Sequence, residues 1–510
     1  MTTREELLWL IENLLDKYSL KKLTLLNLIY RHSSIKADTL ADELELSIRS
    51  INRYINELNN EIESLFNRRE LIHPDGLTYY KISSNYNNAD VLDVFYKLKL
   101  HYLKISSSFQ LLVKLGTQDR ISLFDLTEEL ALSSSYLFRI MKTTSAQLKS
   151  FSLKISIDKY NKVFLDGEEK SIRIFLFLFL TDSFQTIEWP FHHVTKTNAE
   201  KMFSHDISET QIVQRNLFAF LVAILTMRLS KQNFIGNPND YAKEILITLF
   251  LKKKNNNHPC LSQFPLSSEQ LEIEALYYNY MIHIFIPDSI ALEKKLLVAK
   301  SLANLDHEVI GFSKSLIEDI GKEKNCSLTQ DEKNLELYHH VLFYSLLMDW
   351  NQKLYILQKL SFPKINYNLN LNNREMEKVI QIYNENLQTH SLSPLFNTFL
   401  LKEDNLSYAY NLSYNFSQSL NKPKFHINIQ IVKDYNAKSY IEKRLASLFN
   451  SSNIVFTNDL SMTDLLISDL VETDVTIPIF FIYNLQSRLE WEKLTELIQR
   501  LLFDQLFSSE

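Results

Sequence analysis

The chain has 510 residues, 45% of them apolar and 23% charged, with a formal net charge of −6, the balance of an ordinary globular protein with room for roughly three to five domains. Its six glycines are scattered along the whole length, which leaves no place for a phosphate-cradling P-loop, a dinucleotide-binding glycine turn or a GxSxG nucleophile elbow. Those enzyme classes are excluded, and a mild acidity overall argues against a general polyanion binder.

In chain order, Leu7, Leu8, Ile11, Leu14 and Leu15 fall at helical spacing, and Leu23, Leu26, Leu28 and Ile29 mark a second helix over about 20–31. Next comes the stretch Ala41–Ile55, ADELELSIRSINRYI. Leu40, Ala41 and Leu44 face inward on a short helix, and Leu46 fills a turn in which Glu45 stands where glycine is usual. Ser47 is an N-cap type. From there Ile51, Ile55, Leu58, Ile62 and Leu65 predict an amphipathic helix. Its other face offers Arg49, Ser50, Asn52, Arg53 and Asn56, types that bond phosphates and base edges. Pro74-Asp75-Gly76 between two β-prone runs predicts a hairpin over Leu71–Ile82, either a wing touching the DNA backbone or a purely structural ribbon.

Adding 86 to each number of the first motif gives Thr127–Met141, TEELALSSSYLFRIM. Glu43, Leu44, Leu46, Ser47 and Arg53 recur as Glu129, Leu130, Leu132, Ser133 and Arg139. A long helix from about Asp90 to Lys114 precedes this copy. Ser133 caps its second helix, with Leu137, Ile140, Met141, Leu148 and Phe151 as the buried stripe. The exposed face shows Ser134, Ser135, Arg139, Lys142, Ser145 and Lys149. Two strands around Lys159-Tyr160-Asn161 make a second wing carrying Lys159 and Lys162. Across 131–165 six basic residues face one acid, Asp158; residues 1–165 carry a net charge of +2 and the remainder −8. A local cationic face in an acidic protein is what phosphate contact requires. The second copy sits in this more cationic setting, whereas the first has Glu43, Glu45 and Glu57 close by, so the second is expected to bear more of the DNA affinity.

Beyond Gly167-Glu168-Glu169-Lys170, the pattern to about 395 is almost wholly helical. Ile174–Leu180, IFLFLFL, is far short of the ~20 residues of a membrane span and reads as core. Helices are expected over Leu217–Leu229, Tyr241–Leu251, Leu271–Phe285, Ile290–Leu302 and Leu335–Leu360, with a break at Pro287-Asp288, giving two all-α bundles. Strands at Phe425–Val432, Ile454–Phe456, Leu465–Ile467 and Ile477–Tyr483 then alternate with helices, which predicts a small α/β domain with a parallel sheet. The predicted architecture is mainly α and multidomain: 1–85 and 86–170 as winged helix-turn-helix units, 171–288 and 289–398 as helical bundles, and 399–510 as the α/β domain. Cys260 and Cys326 form no paired motif, compatible with a reducing cytoplasm, and no signal peptide opens the chain. His192-His193 has no partner ligand at a useful spacing, so no metal or cofactor is expected.

The tandem winged helices, the GEEKSIR junction, the two helical domains and the α/β terminus together resemble the Mga/RofA-like virulence regulators of Gram-positive cocci. The likeness covers the whole chain and is strongest over 37–173. It implies a cytoplasmic transcription activator, dimeric or higher; self-association is expected to run through the C-terminal domain. The resemblance also implies phosphotransferase-system regulation domains, phosphorylated on histidine by sugar phosphocarrier proteins, and an enzyme IIB-like last domain. Two departures stand out. The loop Lys433-Asp434-Tyr435-Asn436 lacks the cysteine on which enzyme IIB takes phosphate, so 399–510 is expected to be a scaffold. Arg228 fits the family's helix arginine, yet Leu221 occupies the histidine position seven residues earlier. The remaining phosphohistidine candidates are His339 and His340, with His205 and His283 behind them; an acceptor imidazole must be neutral and reachable by solvent.

The expected function is therefore DNA-binding transcriptional regulation on double-stranded promoter DNA, with modest specificity and shape readout, AT-rich sites among them. The rival reading is an RNA-binding antiterminator-like sensor or a phosphotransferase-system interaction protein. Sequence-specific RNA recognition uses exposed aromatics on a sheet, and the first 165 residues show none so arranged.

Overall fold

The computed structural model describes residues 13–76, 78–203, 212–250, 259–349, 374–390, 392–401, 403–420, 424–431, 436–449, 453–470, 477–482 and 484–507. They group into two compact units, one of Met1–Ser313, Asn334–Tyr367 and Ser391–Tyr408, the other of Lys314–Lys333, Asn368–His390 and Ala409–Glu510. The fold is mainly α, with three small sheets among the described residues. The five-segment division read from sequence is finer than these units, and its 289–398 segment contributes to both.

The first winged unit runs α1 (Lys17–Arg31), β1 (Ile35–Lys36), α2 (Ala37–Leu44), α3 (Ile48–Phe66), β2 (Ile72–Pro74) and β3 (Tyr79–Ile82). Asp16 caps α1 by accepting the N–H groups of Tyr18 and Ser19 at 2.8 and 3.0 Å. Ser47 caps α3 by accepting the Ser50 N–H at 3.2 Å, satisfying a donor the helix itself cannot. Ile51, Ile55, Leu58 and Ile62 are buried as their spacing predicts, but Leu65 is 41% exposed in the last turn and Tyr54 joins the buried face instead. Gly76 takes φ +81° between β2 and β3, the left-handed geometry for which the hairpin needs glycine. Leu7, Leu8 and Ile11 lie outside the described residues, whereas Leu14 and Leu15 are buried.

The second unit repeats this order with one added helix. The single helix expected across Asp90–Lys114 is two, α4 (Asn88–Ile105) and α5 (Ser107–Gln118). The chain turns at Ser106, whose hydroxyl accepts the Phe109 N–H at 3.4 Å, because serine bonds the backbone locally at the expense of helix continuity. Then follow β4 (Ile121–Ser122), α6 (Leu123–Glu129), α7 (Ser134–Leu148), β5 (Lys154–Ile157) and β6 (Lys162–Asp166). Both sheets place the strand that precedes the helix-turn-helix beside the last strand of the hairpin: Ile35 pairs with Tyr80, and Ile121 with Val163. Even the turn is duplicated. Glu45 and Ala131, 86 residues apart, take φ 52° and 51°, a left-handed geometry that costs roughly 1–2 kcal/mol without glycine.

The helical region contributes α8 (Glu169–Phe184), α9 (Lys196–Lys201), α10 (Ile212–Ser230), α11 (Asp240–Phe250), α12 (Pro259–Ser262), α13 (Ser268–Phe285), α14 (Leu292–Ala303), α15 (Glu308–Glu323), α16 (Gln330–Asp349), α17 (Arg374–Thr389), α18 (Pro394–Leu400) and α19 (Glu403–Ser419). α8 is buried almost all round, and its Phe175 and Phe179 rings stack at 5.4 Å, as expected of a core segment. It lies close to α5 at Gly116, where a Cβ would stand 2.7 Å from Leu176. Val213–Ser230, the described segment long and apolar enough to cross a bilayer, is 67% buried inside the protein. The predicted break at Pro287 is a single 3-10 turn over Pro287–Ser289, and α16 is described as far as Asp349, with 350–373 outside the described residues.

The α/β part consists of β7 (Phe425–Gln430), α20 (Ala437–Leu448), β8 (Ile454–Phe456), β9 (Leu465–Ser468), β10 (Ile479–Phe481) and α21 (Arg488–Phe507). Its sheet has the order β10-β9-β7-β8, all parallel, as predicted. Ile427, Ile429, Leu465 and Ile467 pack with Ile441 and Leu445 from α20 and with Trp491, Leu494 and Ile498 from α21, so helices cover the apolar strands. The loop Lys433–Tyr435 is outside the described residues.

Candidate nucleic-acid interface

Two second helices, α3 and α7, present the sequence-predicted residues to solvent. On α3, Arg49, Asn52 and Arg53 are exposed and Ser50 is half-buried, its hydroxyl 3.0 Å from that of the cap Ser47. This head is internally committed. The Tyr80 hydroxyl, from the wing, donates to Asn52 Oδ1 at 2.7 Å. Arg53 sits 3.9 Å from Glu57 and 5.4 Å over the Tyr54 ring. Glu57 in turn accepts the Tyr18 hydroxyl and lies 3.4 Å from the buried Lys22, which also bonds Glu61. The acids of α3 thus fasten the helix to α1, and they lower the positive potential beside its reading face. The wing's Lys81 is paired with Asp75 at 2.8 Å.

Head two is organised differently. α7 holds no carboxylate in its own sequence. Ser133 caps it by accepting the Tyr136 N–H at 3.3 Å, and Ser134, Ser135, Arg139, Lys142 and Lys149 are exposed. Arg139 lies 4.6 Å over the Tyr136 ring; neither it nor Lys142 has a carboxylate partner among the described residues. Ser145 does not belong to this face. Its hydroxyl accepts the Ile155 N–H at 2.9 Å, fixing the wing against the helix, because the position turns toward β5 rather than solvent. Lys159 and Lys162 are exposed at the wing, Lys159 lying 5.1 Å over Tyr160.

Asp158, the one acid of this segment, is consumed by architecture. It accepts the N–H groups of Tyr160 and Lys162 at 2.8 and 3.0 Å and pairs with Arg120 at 3.2 Å. The backbone bond from Lys162 leads the causes that hold its carboxyl below the usual range. It shapes the wing turn and stays ionised while doing so.

A third constellation, absent from the sequence reading, lies behind head two. Arg228 on α10 donates to Glu169 at 2.6 Å and also bonds Asp119, at the end of α5. Arg173 donates to Glu169 at 2.8 Å and to Glu274 at 3.1 Å, and Asn233 donates to Asp119 at 3.0 Å. Both arginines are 3% exposed. Arg228 is therefore an interior ion-pair residue. Desolvation opposes its charge, but Glu169 and Asp119 raise its pKa on balance. Sequence spacing could not reveal the set, since its members come from five segments; the only local trace is the Glu169/Arg173 pair, four residues apart on one helix face.

Of the histidines singled out as phosphate acceptors, His283 is 8% exposed and its Nδ1 lies 2.7 Å from the Tyr338 hydroxyl. His340 is fully buried against Glu336, with Nδ1 3.1 Å from the carbonyl oxygen. Neither meets the requirement of solvent access. His339 is exposed, and His205 lies outside the described residues.

These elements define a protein with two winged helix-turn-helix heads in tandem, the second more cationic. Residues 95–180 match the family described as the Mga helix-turn-helix domain, a span that contains the whole second head. A protein of Streptococcus pneumoniae serotype 4 (strain ATCC BAA-334 / TIGR4) named "Putative trans-acting regulator" is 22% identical over 323 residues, 63% of this chain and 60% of its own length. The match over the second head agrees with the resemblance read from the sequence.

Proposed function

We propose that the chain is a DNA-binding transcriptional regulator whose second head supplies most of the affinity and whose first head refines placement. The observation that carries this reading is α7: a capped, solvent-facing helix without a carboxylate, beside a wing whose two acids, Asp158 and Asp166, are both held in local bonds. Phosphate contacts from Arg139, Lys142, Lys149, Lys159 and Lys162 account for a steep salt dependence, and the few base-reading side chains for modest specificity. In its finer form the proposal is a cytoplasmic activator of virulence or surface genes, dimeric through 399–510. Sugar phosphocarriers would control it through His339, the exposed one among the described members of the histidine set. No reaction is assigned to it.

The test is a titration of the full chain with duplex DNA from the region upstream of its own gene, across a salt series, beside single-stranded RNA of the same sequence. Binding to the duplex is expected to fall steeply with salt. Arg139→Ala with Lys142→Ala should weaken it at least ten-fold and reduce the salt slope by about 2. Unchanged binding by the double variant, or tighter binding to RNA, would sink the reading. The same titration after treatment with a phosphorylated phosphocarrier, alongside sedimentation velocity, tests the finer form: no effect dependent on His339, or a monomer, removes it.

A further inference from the structure

We propose that Phe138 is a thymine-reading residue, making head two selective for thymine methyl groups in the major groove. The inference rests on the DNA-binding reading above and adds the base to it. Phe138 is 47% exposed on α7, an unusual place for a phenyl ring in a helix whose leucine, isoleucine and methionine side chains all turn inward. Leu137, Ile140, Met141 and Leu148 are all buried. Ser134, Phe138 and Lys142 follow one another at intervals of four, so they form a single row along the exposed face. Ser135 and Arg139 form the row beside it. The ring therefore stands in the middle of the polar, cationic surface, flanked by the groups that would hold the phosphates on either side of a groove.

A groove face offers one strongly apolar feature, the C5-methyl group of thymine, and a phenyl side chain is among those that contact it. The repeat sharpens the point. The residue 86 positions earlier is Asn52, a polar type whose amide oxygen is already taken by Tyr80. The two heads thus differ in chemistry at the same structural position, and the apolar member sits in the head whose Arg139 and Lys142 have no carboxylate partner among the described residues. A second copy of this chain is the wrong occupant for the patch. A symmetric contact would bring Arg139, Lys142, Lys159 and Lys162 against themselves, and like charges repel. Duplex DNA matches both the ring and its charged surround.

The experiment compares an AT-rich duplex with its counterpart in which every thymine is replaced by deoxyuridine, which removes the methyl groups and leaves base pairing and charge intact. The wild-type full chain should bind the thymine duplex more tightly, by roughly four-fold for each methyl group covered. Phe138→Ala should bind both duplexes equally, near the wild-type value for the uridine duplex. Phe138→Leu, which keeps an apolar tip, should retain part of the preference. Equal wild-type affinity for the two duplexes, or a thymine preference that survives Phe138→Ala, overturns the proposal while leaving DNA binding in place. Binding to neither duplex overturns the DNA reading itself. A change in sedimentation on Phe138→Ala would assign the ring to self-association and equally overturn it.

Discussion

His283 shows how a residue type can mislead when its surroundings are unknown. Between two apolar runs it is open to being an acceptor of phosphate; in the structure burial pushes its pKa down to about 4, against an ordinary value near 6.5. The consequence is a pH-dependent stability with a definite sign. Above pH 6.5 the ring is neutral whether the chain is folded or not, and it contributes nothing. As pH falls below that, the unfolded chain takes up a proton that the folded chain refuses, so stability is lost progressively down to about pH 4. Between pH 7.5 and 5 the loss is about 2 kcal/mol. Denaturant titrations at the two pH values should show this difference, and His283→Gln should reduce it by about that amount. An identical pH dependence in the variant would mean that the ring is not held neutral.

Among elements, the pair of helix-turn-helix units was legible because each local choice agrees with the next: serine cap, apolar stripe at 3.6-residue period, hairpin turn. Ser47, Ser133, Gly76 and the buried isoleucines of α3 follow from types and spacing alone. The two-residue strands Ile35–Lys36 and Ile121–Ser122 did not, since two residues cannot display an alternation. Ser145 was misplaced for a related reason. Helical spacing sets it on the polar face, but the wing folds back over that edge, and only the strand's backbone shows which neighbour it meets. Ser145→Ala should strand the Ile155 N–H and cost about 1–2 kcal/mol, while Ser135→Ala should stay within about 0.5 kcal/mol. Thermal unfolding of the two variants separates these outcomes; equal melting temperatures would show that the wing does not depend on the bond.

For the whole molecule, the informative feature is the buried ion set around Arg228. It joins the end of α5 in the second winged unit to α8, α10 and α13 of the helical region through Asp119, Glu169 and Glu274. None of this was readable in advance, because the partners of Arg228 lie 59 and 109 residues away. The resemblance to a family offered a different role for the arginine. Removing one member leaves uncompensated charge in the interior, so Arg228→Ala should destabilise by about 3–5 kcal/mol, far more than Arg139→Ala on the surface. A loss below about 1 kcal/mol, measured by denaturant unfolding, would show that water or a neighbour replaces the guanidinium. By contrast, the parallel sheet of the C-terminal part was fully anticipated, since strands such as Leu465–Ser468 are apolar on both faces and alternate with helices.

The duplication itself has one more consequence. Two copies that match in backbone, down to Glu45 and Ala131, have diverged at the reading surface, with Arg49, Asn52 and Asn56 in one and Ser135, Phe138 and Lys142 in the other. For a chain that reads DNA through both, the target has a left and a right. Polarity is then written into a single polypeptide, and the direction in which it faces along a promoter is decided before any second subunit arrives.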